Sequence, residues 1–268
     1  MVMPILDIQS VSLERSGRAL LQDINWRIEA GESWVVMGLN GSGKTSLMTL
    51  ITGYQWPTGG TIEVLGARYG SVDLREHRKR IGWVSHHLSE WMTRDHGHVA
   101  VRDLVASGPD AIIGKSSASR EQSAKLGSCL RQFGLLERAD TRFGLLSQGE
   151  KTRVLLARAT LSQAELILMD EPCSGLDIRG REELLALIEE QLGSVPVIYV
   201  THHVEEIVPG FTHVLLLQAG QILAAGPKQE VLTSENLSAT FQVPVSVNIV
   251  HGRPWARVQS ERLEVGRP

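Results

Sequence analysis

The chain has 268 residues, 42% of them hydrophobic and 21% charged, the balance of an ordinary globular protein with enough apolar side chains for one full-sized core. A formal net charge of -3 excludes a bulk attraction to nucleic acid, and two cysteines are too few for a disulfide scaffold. No apolar run approaches the roughly 18 to 20 residues that a membrane-crossing helix needs, so a membrane role would have to come through another protein.

In chain order, Ile5 to Leu13 and Ile24 to Ile28 alternate or cluster apolar residues as strands do, and Ala30-Gly31-Glu32 turns the chain. Trp34-Val35-Val36-Met37 reads as a buried strand running through a glycine-rich turn into a helix over Thr45 to Ile51. Between Leu88 and Ser162 the pattern changes to helices, with apolar residues three and four apart at Val99 to Ala106, Arg120 to Phe133 and Gln148 to Leu161.

The strands Leu166 to Met169 and Val197 to Val200 then flank the amphipathic stretch Arg179 to Gln191, the βαβ rhythm of a parallel sheet. Val214 to Leu217 and Gln221 to Ala225 predict a hairpin, Lys228 to Leu232 a short helix, and Val243 to Val250 with Trp255 to Val258 a second hairpin. This pattern assigns residues 1–233 to one α/β domain, with a helical part at about 88–162, and residues 234–268 to a small C-terminal extension.

The chemistry starts at Gly38-Leu39-Asn40-Gly41-Ser42-Gly43-Lys44-Thr45, two glycines four residues apart followed by Lys and Thr, placed between a strand and a helix. The glycines let successive backbone N–H groups face phosphate oxygens, with the positive end of the following helix behind them. Gly38, Asn40, Gly41, Ser42, Gly43, Lys44, Thr45 and Ser46 form the expected cradle for ATP, with Lys44 on the β- and γ-phosphates and Thr45 on Mg2+. After Leu166-Ile167-Leu168-Met169, Asp170 is delivered to the ligand edge of the sheet as a Mg2+ partner, and Glu171 as a general base for the attacking water.

Leu146-Ser147-Gln148-Gly149-Glu150 is the most diagnostic segment, and on it the sequence resembles the ATP-binding cassette ATPases. The resemblance spans roughly Ile5 to Leu232 and implies a P-loop NTPase core with an N-terminal antiparallel β subdomain and an inserted α-helical subdomain. It implies an ATPase that works as a homodimer in the ATP-bound state, in which Ser147 and Gly149 contact the γ-phosphate held by the opposite subunit. Ser174-Gly175-Leu176-Asp177 matches the family's loop between subunits, and His202 its switch histidine.

Two positions depart from the family pattern. Arg15 stands where an aromatic residue normally stacks on adenine, and a guanidinium plane can also stack on a base. His86, ending Ile81-Gly82-Trp83-Val84-Ser85, replaces a glutamine that touches Mg2+. The nearby His87, Asp95, His96 and His98 read as a polar, solvated loop rather than a metal cluster.

The resemblance further implies integral-membrane permease subunits docking near His86 to Val105, no nucleic acid, and a cytoplasmic place on the inner face of the cell membrane. Thr52 to Thr58 looks like a molybdate-type subgroup. The alternative is a soluble ATPase of the same type serving an assembly or regulatory complex, such as an iron–sulfur scaffold.

Overall fold

A computed structural model describes residues 3–108 and 120–259. The chain opens with β1 (Leu6–Arg15) and β2 (Arg18–Ile28), an antiparallel pair joined across Ser16 and Gly17. Both turn residues have positive φ, 52° and 73°, as a two-residue hairpin turn matching the strand twist requires. β3 (Trp34–Met37) and α1 (Lys44–Ile51) follow as expected. Next come β4 (Gly59–Val64), β5 (Ala67–Arg68) and α2 (Leu74–Arg78), which the periodicity did not predict because each is short and rich in glycine or charge. β1, β2, β4 and β5 form the antiparallel sheet, in the order β2-β1-β4-β5.

β6 (Ile81–Ser85) leads directly into α3 (His86–His96), so the stretch read as a solvated loop is a helix. The reason is local: the Ser85 hydroxyl accepts from the Leu88 N–H at 3.1 Å and caps the first turn. α4 (Val101–Ala106), α5 (Arg120–Gln132) and α6 (Gln148–Leu161) complete the helical part. Then follow β7 (Leu166–Asp170), α7 (Ile178–Gln191), β8 (Val197–Thr201), β9 (His213–Gln218), β10 (Gln221–Pro227) and α8 (Lys228–Val231). α9 (Ser234–Phe241), absent from the sequence reading, precedes the second hairpin, β11 (Val245–Val250) and β12 (Arg253–Val258).

The central sheet runs β10-β9-β3-β8-β7-β6, parallel from β9 to β6, with β10 antiparallel at its edge. Strands β3, β7, β8 and β9 read as unbroken apolar runs because both faces are covered, whereas β10 at the edge alternates exposed and half-buried residues. Leu166, Leu168, Ile198 and Val200 point into a core shared with α1 and the antiparallel sheet. Ile167, Met169, Val197 and Tyr199 point into the opposite core with α4, α5, α6 and α7. Each fully buried aliphatic side chain of this kind stabilises by about 1.5 to 3 kcal/mol before ordering entropy is subtracted. Leu237 of α9 is buried in the second core, so the C-terminal extension packs onto the main body.

Candidate active site

Parallel register brings the chemistry to one edge. Ser85 pairs with Asp170 and Asp170 with Val200, while Met37 pairs with Thr201, so β3, β6, β7 and β8 all end at one level. A cavity of about 810 Å³ opens there, within the range of small-molecule sites. Asn40, Gly41, Gly43, Lys44, Thr45 and Ser46 line one wall. Gly43 stands at φ 109° before α1, where no side chain caps the first turn, leaving its N–H groups for an anion. A Cβ on Gly38 would lie 2.2 Å from the Leu217 carbonyl oxygen and 2.6 Å from Ser42 Oγ, so the loop closes only with glycine there.

Lys44 Nζ donates to the Gly38 and Leu39 carbonyl oxygens at 2.9 and 3.1 Å. Burial lowers the Lys44 pKa from its ordinary value, and the nearby Glu171 and Asp170 act to raise it. Burial raises the Asp170 pKa, with Glu171 adding to the rise; a hydrogen bond from the Thr45 hydroxyl and the charges of Lys44 and His87 act in the other direction. Asp170 is thus a carboxylate whose charge the protein only partly compensates. Its oxygens and the Thr45 hydroxyl are hard donors that fit Mg2+.

Glu171 sits at the cavity wall with φ 48°, a left-handed conformation that costs a non-glycine residue on the order of 1 to 3 kcal/mol. The strain is held by its N–H donating to the Val200 carbonyl oxygen at 3.0 Å. His202 Nδ1 lies 3.1 Å from Glu171 Oε1, so the histidine expected as a switch reaches the cavity through that carboxylate. Behind it, the buried Glu206 accepts from Thr201 at 2.6 Å and Tyr199 at 2.8 Å, fixing the end of β8. This arrangement can hold a polyphosphate beside a cation and orient a water with a carboxylate.

Not every expected residue reaches the cavity. Arg15 is exposed and absent from the lining; Arg18, its partner across the hairpin turn, lines it with Ala19 and Leu20. The cause is packing: Gln22 N–H donates to the Gly220 carbonyl oxygen at 2.8 Å, which draws the start of β2 against the β9–β10 turn. Ser147 and Gly149 lie outside the lining, at the start of α6. There Ser147 and Glu150 cap each other reciprocally, and Arg138 Nε holds Glu150 at 3.0 Å. His86 does line the cavity, as do His87, Ser85, Trp83 and Ser174, which the sequence reading did not place there.

The comparisons with known proteins agree with this geometry. The family model described as ABC transporter matches residues 21–174. The chain is 40% identical over 256 residues to the uncharacterised ABC transporter ATP-binding protein YlmA of Bacillus subtilis (strain 168), covering 94% of this chain and 96% of that one. It is 29% identical over 239 residues to the nickel import ATP-binding protein NikO of Rhodobacter capsulatus, covering 85% and 91% of the two chains. Among solved structures it is similar to a transporter described as of metal-chelate type in an inward-facing conformation, at a TM-score of 0.75 and 26% identity, covering 95% of this chain and 96% of that one. A cavity of this construction and relatives at this level of identity lead to one conclusion: the chain belongs to the ABC transporter family, as an ATP-binding and ATP-hydrolysing subunit.

Proposed function

We propose that two copies of the chain close head to tail on two ATP molecules and that this cycle drives separate membrane-spanning permease subunits at the inner face of the cell membrane. The observation that carries the reading is the position of Ser147: exposed, capped by Glu150 and outside the cavity that Lys44 lines. Its hydroxyl and the first N–H groups of α6 therefore suit a phosphate held by another subunit. In each copy Lys44 and the glycine cradle bind the phosphates, Arg18 rather than Arg15 stands on the base side, Glu171 takes the proton of the attacking water, and His202 orients Glu171. Mg2+ on Thr45 and Asp170 would supply charge neutralisation when bound.

A permease partner is supported by large apolar side chains left exposed beside the helical part, Tyr54 at 61%, Trp56 at 56% and Trp91 at 41%. Among the described residues no helix is long and apolar enough to cross a membrane. The relatives' names favour transport over an assembly or regulatory role. Relatives named for nickel, methionine and molybdenum import stand at 29 to 33% identity alike, so the molybdate-type reading of Thr52 to Thr58 gains no preference from them.

Mixing two inactive variants tests the shared site. Lys44→Ala keeps an intact Ser147 and Ser147→Arg keeps an intact Lys44, so mixed dimers contain one complete site. Partial recovery of ATP hydrolysis on mixing is expected; two variants that stay inactive together at concentrations where wild type dimerises would place Ser147 in its own subunit's site or in folding alone.

A further inference from the structure

The start of α3 carries a cluster that the ATP cycle does not absorb. His86, His87 and Glu90 each present one ligand atom, and these three atoms all lie within 4.8 Å of one another. The convergence follows from the Ser85 cap, which puts both histidines in the first helical turn and Glu90 one turn on from His86. His86 Nδ1 is 3.8 Å from Glu90 Oε2. Neighbouring cations are turned elsewhere: Arg94 Nε pairs with Asp95 at 2.8 Å, and the Lys151 ammonium lies 5.8 Å from the Phe143 ring centroid.

We propose that His86, His87 and Glu90 form an exchangeable site for a borderline divalent transition-metal ion, of the Zn2+, Co2+ or Ni2+ class, at the mouth of the nucleotide cavity. Two imidazoles and one carboxylate match that class, whereas Mg2+ takes oxygen donors, so His86 belongs to a different donor set from Thr45 and Asp170. Bound at about 2.0 to 2.1 Å, neighbouring ligands of a tetrahedral ion stand about 3.3 Å apart. The three side chains must therefore close by up to about 1.5 Å, a rotation their exposure permits, with His86 and Glu90 side chains 41% and 63% accessible. Three protein ligands leave the fourth position to water, the form of an exchangeable rather than a structural ion.

His86 and His87 also line the nucleotide cavity. An ion that draws both imidazoles towards Glu90 removes them from that wall, so a loaded protein should hydrolyse ATP more slowly at fixed Mg2+. This consequence rests on the ATPase reading; the binding itself does not.

Titration of the nucleotide-free full chain with Co2+, followed by its visible absorption, tests the site. Cys129 and Cys173 are buried, their thiols pushed up by burial to about 11 and about 12, so the spectrum reports nitrogen and oxygen ligands. One ion per chain is expected, with affinity reduced about tenfold or more by Glu90→Gln and again by His87→Gln, and unchanged by His98→Gln. Circular dichroism and a cooperative thermal melt of each variant show that it is folded. Absence of binding to the wild type, or binding that survives Glu90→Gln and His87→Gln together, overturns the proposal. Slower hydrolysis with added Zn2+ in wild type and not in Glu90→Gln is the expected functional arm; Zn2+ inhibition equal in both would move the inhibitory ion to another site.

Discussion

Arg253, at the start of β12, grips Glu182 on α7 with both arms of its guanidinium, Nη1 to Oε2 at 2.5 Å and Nη2 to Oε1 at 3.3 Å. Its Nε donates to the Glu205 carbonyl oxygen at 3.1 Å, and the Glu205 carboxylate lies 3.4 Å from His203 Nδ1. The His203 ring packs 4.2 Å from His202, which touches Glu171. The C-terminal hairpin is thereby linked by contacts to Glu171, the proposed general base. Arg253→Ala should lower stability by about 1 kcal/mol, the scale of a partly exposed bidentate pair. It should also lower kcat a few-fold while leaving KM for ATP nearly unchanged, because the proposed phosphate cradle is the loop between β3 and the start of α1; steady-state kinetics separates the two.

The same pair sets a pH dependence. Arg253 holds the Glu182 carboxyl below its ordinary pKa, so its contribution is complete above the unfolded value and fades as pH falls through the depressed native one. Urea midpoints of wild type and Arg253→Ala should therefore differ at neutral pH and converge on acidification below the usual glutamate range.

Lys44→Ala removes the ammonium that spans the Gly38 and Leu39 carbonyl oxygens and that we propose faces the phosphates. ATP turnover should fall by about 10²-fold or more. Circular dichroism should show an intact fold, since the glycine geometry of the loop does not depend on the lysine; a fluorescent ATP analogue measures the lost binding.

Glu171→Gln retains a hydrogen-bonding partner for His202 but cannot take a proton. Hydrolysis should drop by about 10² to 10⁴-fold. ATP should then persist between subunits, and gel filtration in Mg-ATP should show a dimer; a variant that elutes as a monomer at high protein and ATP concentrations contradicts the two-subunit site.

Asp170→Asn tests the strain of a buried carboxylate. Because burial raises the native Asp170 pKa, the charged form weakens the fold above that pKa, and the penalty shrinks as pH falls through it. Without nucleotide, Asp170→Asn should melt higher than wild type at pH 8 and lose that advantage in acid, while its ATP hydrolysis is abolished. Thermal melts across pH measure the first and a phosphate-release assay the second.

What could be read along the chain was what short-range spacing carries. The cradle from Gly38 to Thr45 is a local turn whose backbone conformations only glycine adopts easily, and the Ser147–Glu150 cap spans one helical turn, so both are visible in eight residues or fewer. The buried strands before Asp170 and Thr201 announce themselves because a sheet covered on both faces tolerates only apolar side chains. Strand register and long-range packing decided the rest. Arg18 rather than Arg15 reaches the cavity because the β2 backbone is tied to the turn at Gly220, some 200 residues away in sequence. Arg253 meets Glu182 across a separation of 71 residues, which no local pattern encodes. His86, His87 and Glu90 converge because Ser85 stops being a strand residue and becomes a helix cap at the point where β6 meets Asp170 on β7; one residue type fits both conformations, and only the pairing of the strands settles where the change falls.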